Sequence, residues 1–195
     1  MYGYGAGYPQ ADAEDDGPGV QGVRATAGLE FIYFTNQERG YALALAAGLE
    51  IDRMGVNVFA SHLSVGSDDG SNGNDSIQQL SAKISYALLV GERGRVRVEM
   101  GIDTFFAPDV TLLGPTAGFS GTMWLFGTVA LEGSVMGSVY PFWQVDGRAG
   151  LVIGVGALGL RVGFRAQLLD DQGVVDGVAH RDVFMGPYAG LGFTF

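Results

Sequence analysis

From Val23 onward the chain alternates, residue by residue, between apolar side chains and polar or small ones. One face reads Val23, Ala25, Ala27, Leu29, Phe31 and Tyr33; the other reads Arg24, Thr26, Gly28 and Glu30. Period two is the mark of a β-strand with two unlike faces, because successive side chains leave a strand on opposite sides. The pattern resumes after the turn NQERG (36–40), with Tyr41, Leu43, Leu45, Ala47, Leu49 and Ile51 against Ala42, Ala44, Ala46, Gly48 and Glu50. The tight turn DRMG (52–55) leads into a third strand over about 56–66, and a polar loop, GSDDGSNGND (66–75), follows it. A fourth strand sets Leu80, Ala82, Ile84, Tyr86, Leu88 and Val90 against Gln79, Ser81, Lys83 and Ser85. After the turn GERGR (91–95), Val96, Val98, Met100 and Ile102 alternate with Arg97, Glu99, Gly101 and Asp103.

Residues 107–138 break the rhythm. Within them MWLFGTVALEG (123–133) is apolar on both faces and fits a strand, a helix or part of a folded loop. Alternation returns with Trp143, Val145, Gly147, Ala149 and Leu151 against Gln144, Asp146 and Arg148. GVGA (154–157) makes a turn into Leu160, Val162, Phe164, Ala166 and Leu168 against Arg161, Gly163, Arg165 and Gln167. The loop DDQGVVDGVAHRD (170–182) precedes a last strand, 183–195. The tally is eight strands, or ten if 109–133 holds an extra hairpin.

The connections decide which all-β fold this is. A soluble sandwich or lipocalin also alternates, but its turns have no preferred side. Here DRMG, GERGR and GVGA are short, whereas 66–75, 107–138 and 170–182 are long; NQERG, the first connection of the long set, is short. Short turns at one end and long loops at the other are the outer-membrane arrangement, and strands of about 9–11 residues or more can cross the hydrocarbon. The expected fold is a closed antiparallel transmembrane β-barrel over 22–195. Residues 1–21, rich in Gly, Tyr, Pro and acids without periodicity, are expected to form a flexible tail.

Composition narrows the partners. The net charge is −10, from 21 acidic and 11 basic residues, which disfavours nucleic acid and polybasic membrane contact. The chain has no cysteine, so neither disulfides nor thiolate metal sites are available. Its start lacks the basic and apolar regions of a signal peptide, so the expectation is an exported chain already processed.

The C-terminus, GPYAGLGFTF, resembles the terminal strand of bacterial outer-membrane barrels, which commonly ends in Phe with apolar residues at alternate positions. Pro187, Ala189, Leu191, Phe193 and Phe195 fit that spacing. The resemblance implies that Leu191, Phe193 and Phe195 form a signal for the barrel-assembly machinery, read by strand addition. In size the chain resembles the small OmpA, OmpX and opacity-type barrels, without a peptidoglycan-binding domain. The resemblance implies an outer-membrane location and contact with its lipids.

Two constellations carry candidate chemistry. Glu30, Glu50, Lys83, Arg97, Glu99, Asp103, Asp146, Arg148, Arg161 and Arg165 lie on the polar faces, where a narrow lumen would make them pair. The alternative is a narrow ion path through the same residues. His62 and Ser64, at i and i+2 on one strand face, resemble the His-x-Ser pair of an outer-membrane lipid A deacylase family. The continuation Val65–Gly66 and the neighbouring Gln78 and Gln79 depart from that family's pattern, which needs an acid to orient the His. Asp68, Asp69, Asn72 and Asp75 lack EF-hand spacing, GVGALG (154–159) is a turn between strands, and two dispersed histidines make no metal site. No catalytic residue, metal or cofactor is therefore expected. The expected role is non-enzymatic: structural, adhesive or assembly-related, with a protein partner reached through the long loops or the tail. A narrow channel and a hydrolase stand as alternatives.

Overall fold

The computed structural model describes residues 22–35, 40–66, 74–108, 110–174 and 177–195. The expected tail (1–21) and residues 67–73 of the polar loop lie outside the described residues. Ten strands follow in order: β1 (Val23–Phe34), β2 (Gly40–Ile51), β3 (Met54–Gly66), β4 (Asn74–Gly91) and β5 (Gly94–Phe106), then β6 (Thr111–Phe126), β7 (Val129–Ser138), β8 (Trp143–Val155), β9 (Leu158–Asp170) and β10 (Arg181–Thr194). Each pairs antiparallel with its sequence neighbours, and β1 pairs with β10, so the sheet closes as an up-and-down barrel. Closure leaves no unpaired strand edge, the condition for a sheet to stand in hydrocarbon.

The count is ten, the larger of the two that the sequence allows. The added strands are β6 and β7, both inside 107–138. Alternation exists there but is muted. Leu113, Phe119, Leu131 and Val135 face outward, whereas Leu112, Thr116, Ser120, Glu132 and Ser134 face inward. Pro115 in β6 pairs with Ile102 of β5 but lies beyond the β6–β7 ladder, which begins at Ala117 and Gly137, so the proline stands where the strand has a partner on one side alone.

All the short turns sit at one end. Gly127 and Gly156 hold the β6–β7 and β8–β9 turns with left-handed φ of 49° and 62°. Both ends of the described barrel come to this side: Ala25 and Phe195 exchange backbone hydrogen bonds of 3.0 and 2.9 Å, and the Thr194 amide donates to Ala157 in the β8–β9 turn. The longer connections share the opposite end, which in an outer membrane faces outward from the cell.

The apolar face is the outer face. Leu43, Leu45, Ile84, Leu160 and Phe164 are exposed around the barrel, and Val98 lies among them half-buried. Tyr33 and Tyr41, directly paired, join Phe106 and Trp143 near the loop end; Phe126, Phe193 and Phe195 lie near the turn end. Two aromatic belts flanking an apolar band are the surface that bilayer interfaces select. One position departs from the simple alternation. A bulge between Ala87 and Leu89 leaves both Leu88 and Leu89 exposed and pairs Val90 with the inward Arg95, so Val90 is turned from the lipid face.

Leu45 is 58% exposed at the middle of β2, where nothing but lipid can cover it. Leu45→Arg is therefore expected to cost about 2–4 kcal/mol in urea unfolding from bilayers. A change below about 0.5 kcal/mol would place that surface in water.

Candidate functional site

The lumen is built in two storeys. At the loop end it is apolar. Ile32, Phe34, Ala42, Leu63, Val65, Phe184 and Tyr188 form one buried cluster, and Phe105, Leu112, Phe142 and Leu169 form a second. Phe142 belongs to the β7–β8 connection, which folds back into the barrel. Its ring meets Phe105 edge-on at 5.5 Å, and Gly114 of β6 leaves the space it occupies. Phe34 and Phe184 meet similarly at 5.7 Å. Such edge-to-face contacts pack aromatic rings closely enough to exclude water.

Below this plug the lumen is charged, in three tiers. In the first, Arg165 is clamped to Asp146 by hydrogen bonds of 3.0 and 2.6 Å, with Gln79 at 3.2 Å and Gln167 at 3.5 Å. Its guanidinium lies 5.3 Å from the Phe59 ring centre. In the second, Glu30 is reached by Arg148 at 3.5 Å and Arg161 at 3.4 Å. Arg161 also lies 3.8 Å from Glu132, which accepts the Tyr188 hydroxyl at 3.1 Å, while Arg148 donates to Ser134 at 3.1 Å. In the third, nearest the turns, Glu50 bonds Arg97 at 2.8 and 3.1 Å and pairs with Arg95; Glu99 accepts from Ser120. Crossing hydrogen bonds of this kind tie strands that are not neighbours: Gln79–Arg165 spans β4 to β9, and Glu50–Arg97 spans β2 to β5. A cavity of about 230 Å³ remains among these side chains.

Two of the inward charges stand apart from the pairs. Lys83 lines the cavity with no carboxylate in ion-pair range among the described residues. Asp103 is 1% exposed, and neither carboxyl oxygen has a hydrogen-bond partner among the described residues. Sequence reasoning missed Arg95, Glu132 and Tyr188. Arg95 was assigned to the turn, yet it is the second residue of β5. Glu132 sat in the stretch read as apolar on both faces, although its alternation with Leu131 and Gly133 was there to find.

His62 and Ser64 fall on the outer-face parity of β3, His62 exposed and Ser64 buried, opposite Leu43 and Tyr41 of β2 and Gln78 and Ser76 of β4. The acids nearest in register are on the other side of the sheet: Asp75 pairs with the inward Val65, and Glu50 lies at the far end of β2 within the lumen. The strand neighbours thus offer the imidazole no orienting carboxylate. Leu191, Phe193 and Phe195 are exposed on the outer face of β10.

At the mouth, above the plug, a second cavity of about 200 Å³ lies between the β5–β6 and β9–β10 connections. Ile77, Phe105, Val110, Leu112 and Leu169 line it, with Asp171, His180 and Asp182 contributing its polar groups. The β9–β10 loop is shaped by its aspartates. Asp170 accepts the Gln172 amide at 2.9 Å and holds Arg181 through hydrogen bonds of 3.1 and 3.0 Å. Asp171 Oδ1 accepts the amides of Gly173 at 3.0 Å and His180 at 2.7 Å.

No family model matches the sequence, and no curated protein matches it. Among solved structures, the outer membrane protease OmpT of Escherichia coli superposes with a TM-score of 0.51 at 9% identity, over 94% of this chain and 100% of that one. Neisserial surface protein A aligns at 13% identity and a TM-score of 0.39, over 89% and 96% of the two chains. The Yersinia pestis outer membrane protein Ail aligns at 12% identity and a TM-score of 0.43, over 89% and 100%. At such identities the likeness is one of fold: this chain folds as a closed antiparallel β-barrel of the kind those outer-membrane proteins form.

Proposed function

We propose that this outer-membrane barrel is a non-conducting, non-enzymatic protein that works through the surface at its loop end, in a structural or adhesive role. The observation that carries this reading is the apolar plug. An ion crossing the lumen would have to shed its hydration among Phe34, Phe105, Phe142 and Phe184, and such transfer costs far more than any nearby pair returns. The paired charges beneath the plug then serve to hold the strands together. An enzymatic role is disfavoured by the outward His62 and Ser64, whose strand neighbours bring no acid to their face. At the loop end, in contrast, Val139, Tyr140, Val174 and Val178 stand exposed, the kind of apolar tips that a protein partner covers. In this reading Leu191, Phe193 and Phe195 present the last strand to the assembly machinery before β10 closes on β1.

Planar-bilayer recording tests it. Purified barrel inserted at high salt should hold the bilayer at baseline, without discrete steps. Stable unitary conductance that survives dilution of the protein would overturn the reading in favour of a channel.

A further inference from the structure

We infer that the charged part of the lumen, beneath the plug, binds a small doubly charged oxyanion of the phosphate type, with Lys83 as its central donor. The first observation is a surplus of positive charge. Six basic side chains line the cavity there against four carboxylates, in a protein whose net charge is −10. The surplus is also turned toward the open space. The Glu30 side chain is 5% exposed, behind Arg148 at 32% and Arg161 at 24%, so the guanidiniums face the cavity and the carboxylate they hold does not. Nearer the turns, Arg95 lies within electrostatic reach of Arg24 and Arg97, and Arg95 and Arg97 share the one carboxylate of Glu50. The second observation is a donor without an acceptor. Lys83 lines the same cavity, half-buried rather than sealed, and makes no hydrogen bond or ion pair with any described residue.

The protein's own acids do not meet this need. Asp146 feels the Lys83 charge, but Arg165 already clamps it with bonds of 3.0 and 2.6 Å. Asp103, on the neighbouring strand, is 1% exposed and lies outside the cavity lining. An ammonium offers three donors and accepts nothing, so the guest that suits it brings acceptors and negative charge. A phosphate-type oxyanion brings several acceptor oxygens, and its two charges match the surplus of the lining. Guanidinium forks and an ammonium are the usual donors to such an ion, and their charge-assisted bonds are among the stronger kinds. Ser134, which accepts from Arg148, keeps its own proton to donate. The volume of about 230 Å³ limits the guest to a few heavy atoms with some water, since about 150 Å³ already accommodates benzene. A cationic guest is disfavoured by the same surplus, and the three arginines near the turns attract an anion toward the lumen. This inference goes beyond the proposed reading: it is tested by binding, whereas that reading is tested by conductance.

The experiment titrates the full chain in lipid nanodiscs with sodium phosphate, sodium sulfate and sodium nitrate at matched ionic strength, followed by calorimetry and backbone amide NMR. Phosphate and sulfate should bind saturably, with shifts at Lys83, Gly101 and Ser134, and nitrate should bind at least about tenfold more weakly. Lys83→Met should weaken phosphate about tenfold, the loss of one hydrogen bond to a charged group, and leave the urea midpoint unchanged or raised, because no ion pair is broken. Lys83→Arg should restore most of the affinity. Arg181→Gln, at the loop end, is the control for general screening by salt and should bind phosphate as the wild type does. Four results would each overturn the inference: no saturable binding, nitrate equal to phosphate, unchanged affinity in Lys83→Met, or an equal loss in Arg181→Gln. Should Lys83→Met fail to fold, Lys83→Gln, which removes the charge and keeps a polar group, is read in the same way.

Discussion

Arg165→Met is expected to destabilise the barrel by about 3 kcal/mol, near the lower end of the range for breaking a buried ion pair. Arg165 is 5% exposed and satisfies Asp146 through two bonds, Gln79 through a third and Gln167 through a fourth. Methionine preserves much of the side-chain length against Phe59 but leaves Asp146 charged and without its donors. The cavity beside Asp146 can admit water, which is why the lower end of the range applies. The informative measurement is the double-mutant cycle by urea unfolding in bilayers. Asp146→Asn added to Arg165→Met should recover most of the loss, since it removes the stranded charge. If the two losses simply add, Arg165 and Asp146 are not coupled and the loss does not come from breaking their pair.

The second large effect is steric and sits at the seam. A Cβ built on Gly186 of β10 falls within the Tyr33 carbonyl of β1, with the adjoining Phe34 Cα crowding it as well. Both obstacles are main chain, so neither can rotate away. Gly186→Ala should therefore force β10 from β1 where the barrel closes, at a cost of about 3 kcal/mol or more, the upper part of the overpacking range. The readout is the heat-modifiable compact form on SDS gels, which should be lost or sharply reduced. Gly147→Ala is the control: its Cβ would meet only the Ala166 carbonyl, at 4.0 Å, an ordinary contact. It should behave as wild type. A fully compact Gly186→Ala barrel would mean that the seam has slack.

The sequence carried the eight regular strands because their outer faces alternate without interruption, as in Leu43, Leu45, Ala47 and Leu49. It carried β6 and β7 weakly for physical reasons. Pro115 removes a donor, Gly114 and Gly118 blur the inward face, and the bulge at Trp124/Phe126 shifts the phase at the turn. Val90 was misplaced for the same kind of reason, since a bulge adds one residue and period two then inverts. The inward residues were legible one by one, but their partners were not. Glu30 finds Arg148 and Arg161 more than a hundred positions away, a pairing that depends on strand number and stagger rather than on local pattern. The plug was hidden more deeply. Its central ring, Phe142, comes from a loop, and nothing in local spacing distinguishes a loop aromatic that points into a lumen from one that points into solvent.

The plug also decides to which side of the membrane the lumen belongs. Its residual space lies beneath the aromatic layer, and Glu50 with Arg95 and Arg97, one or a few residues from the strand ends, is the last tier before the turns. If the plug seals the mouth, as proposed, water and ions that reach the inner charges come from the turn side, past that tier. The ionic strength and acidity felt by Glu30, Asp146 and Arg165 are then those of the cell's own compartment, whatever the medium outside. A bacterium moving between fresh and saline surroundings would keep the ties inside this barrel at constant strength, with only the loops exposed to the change.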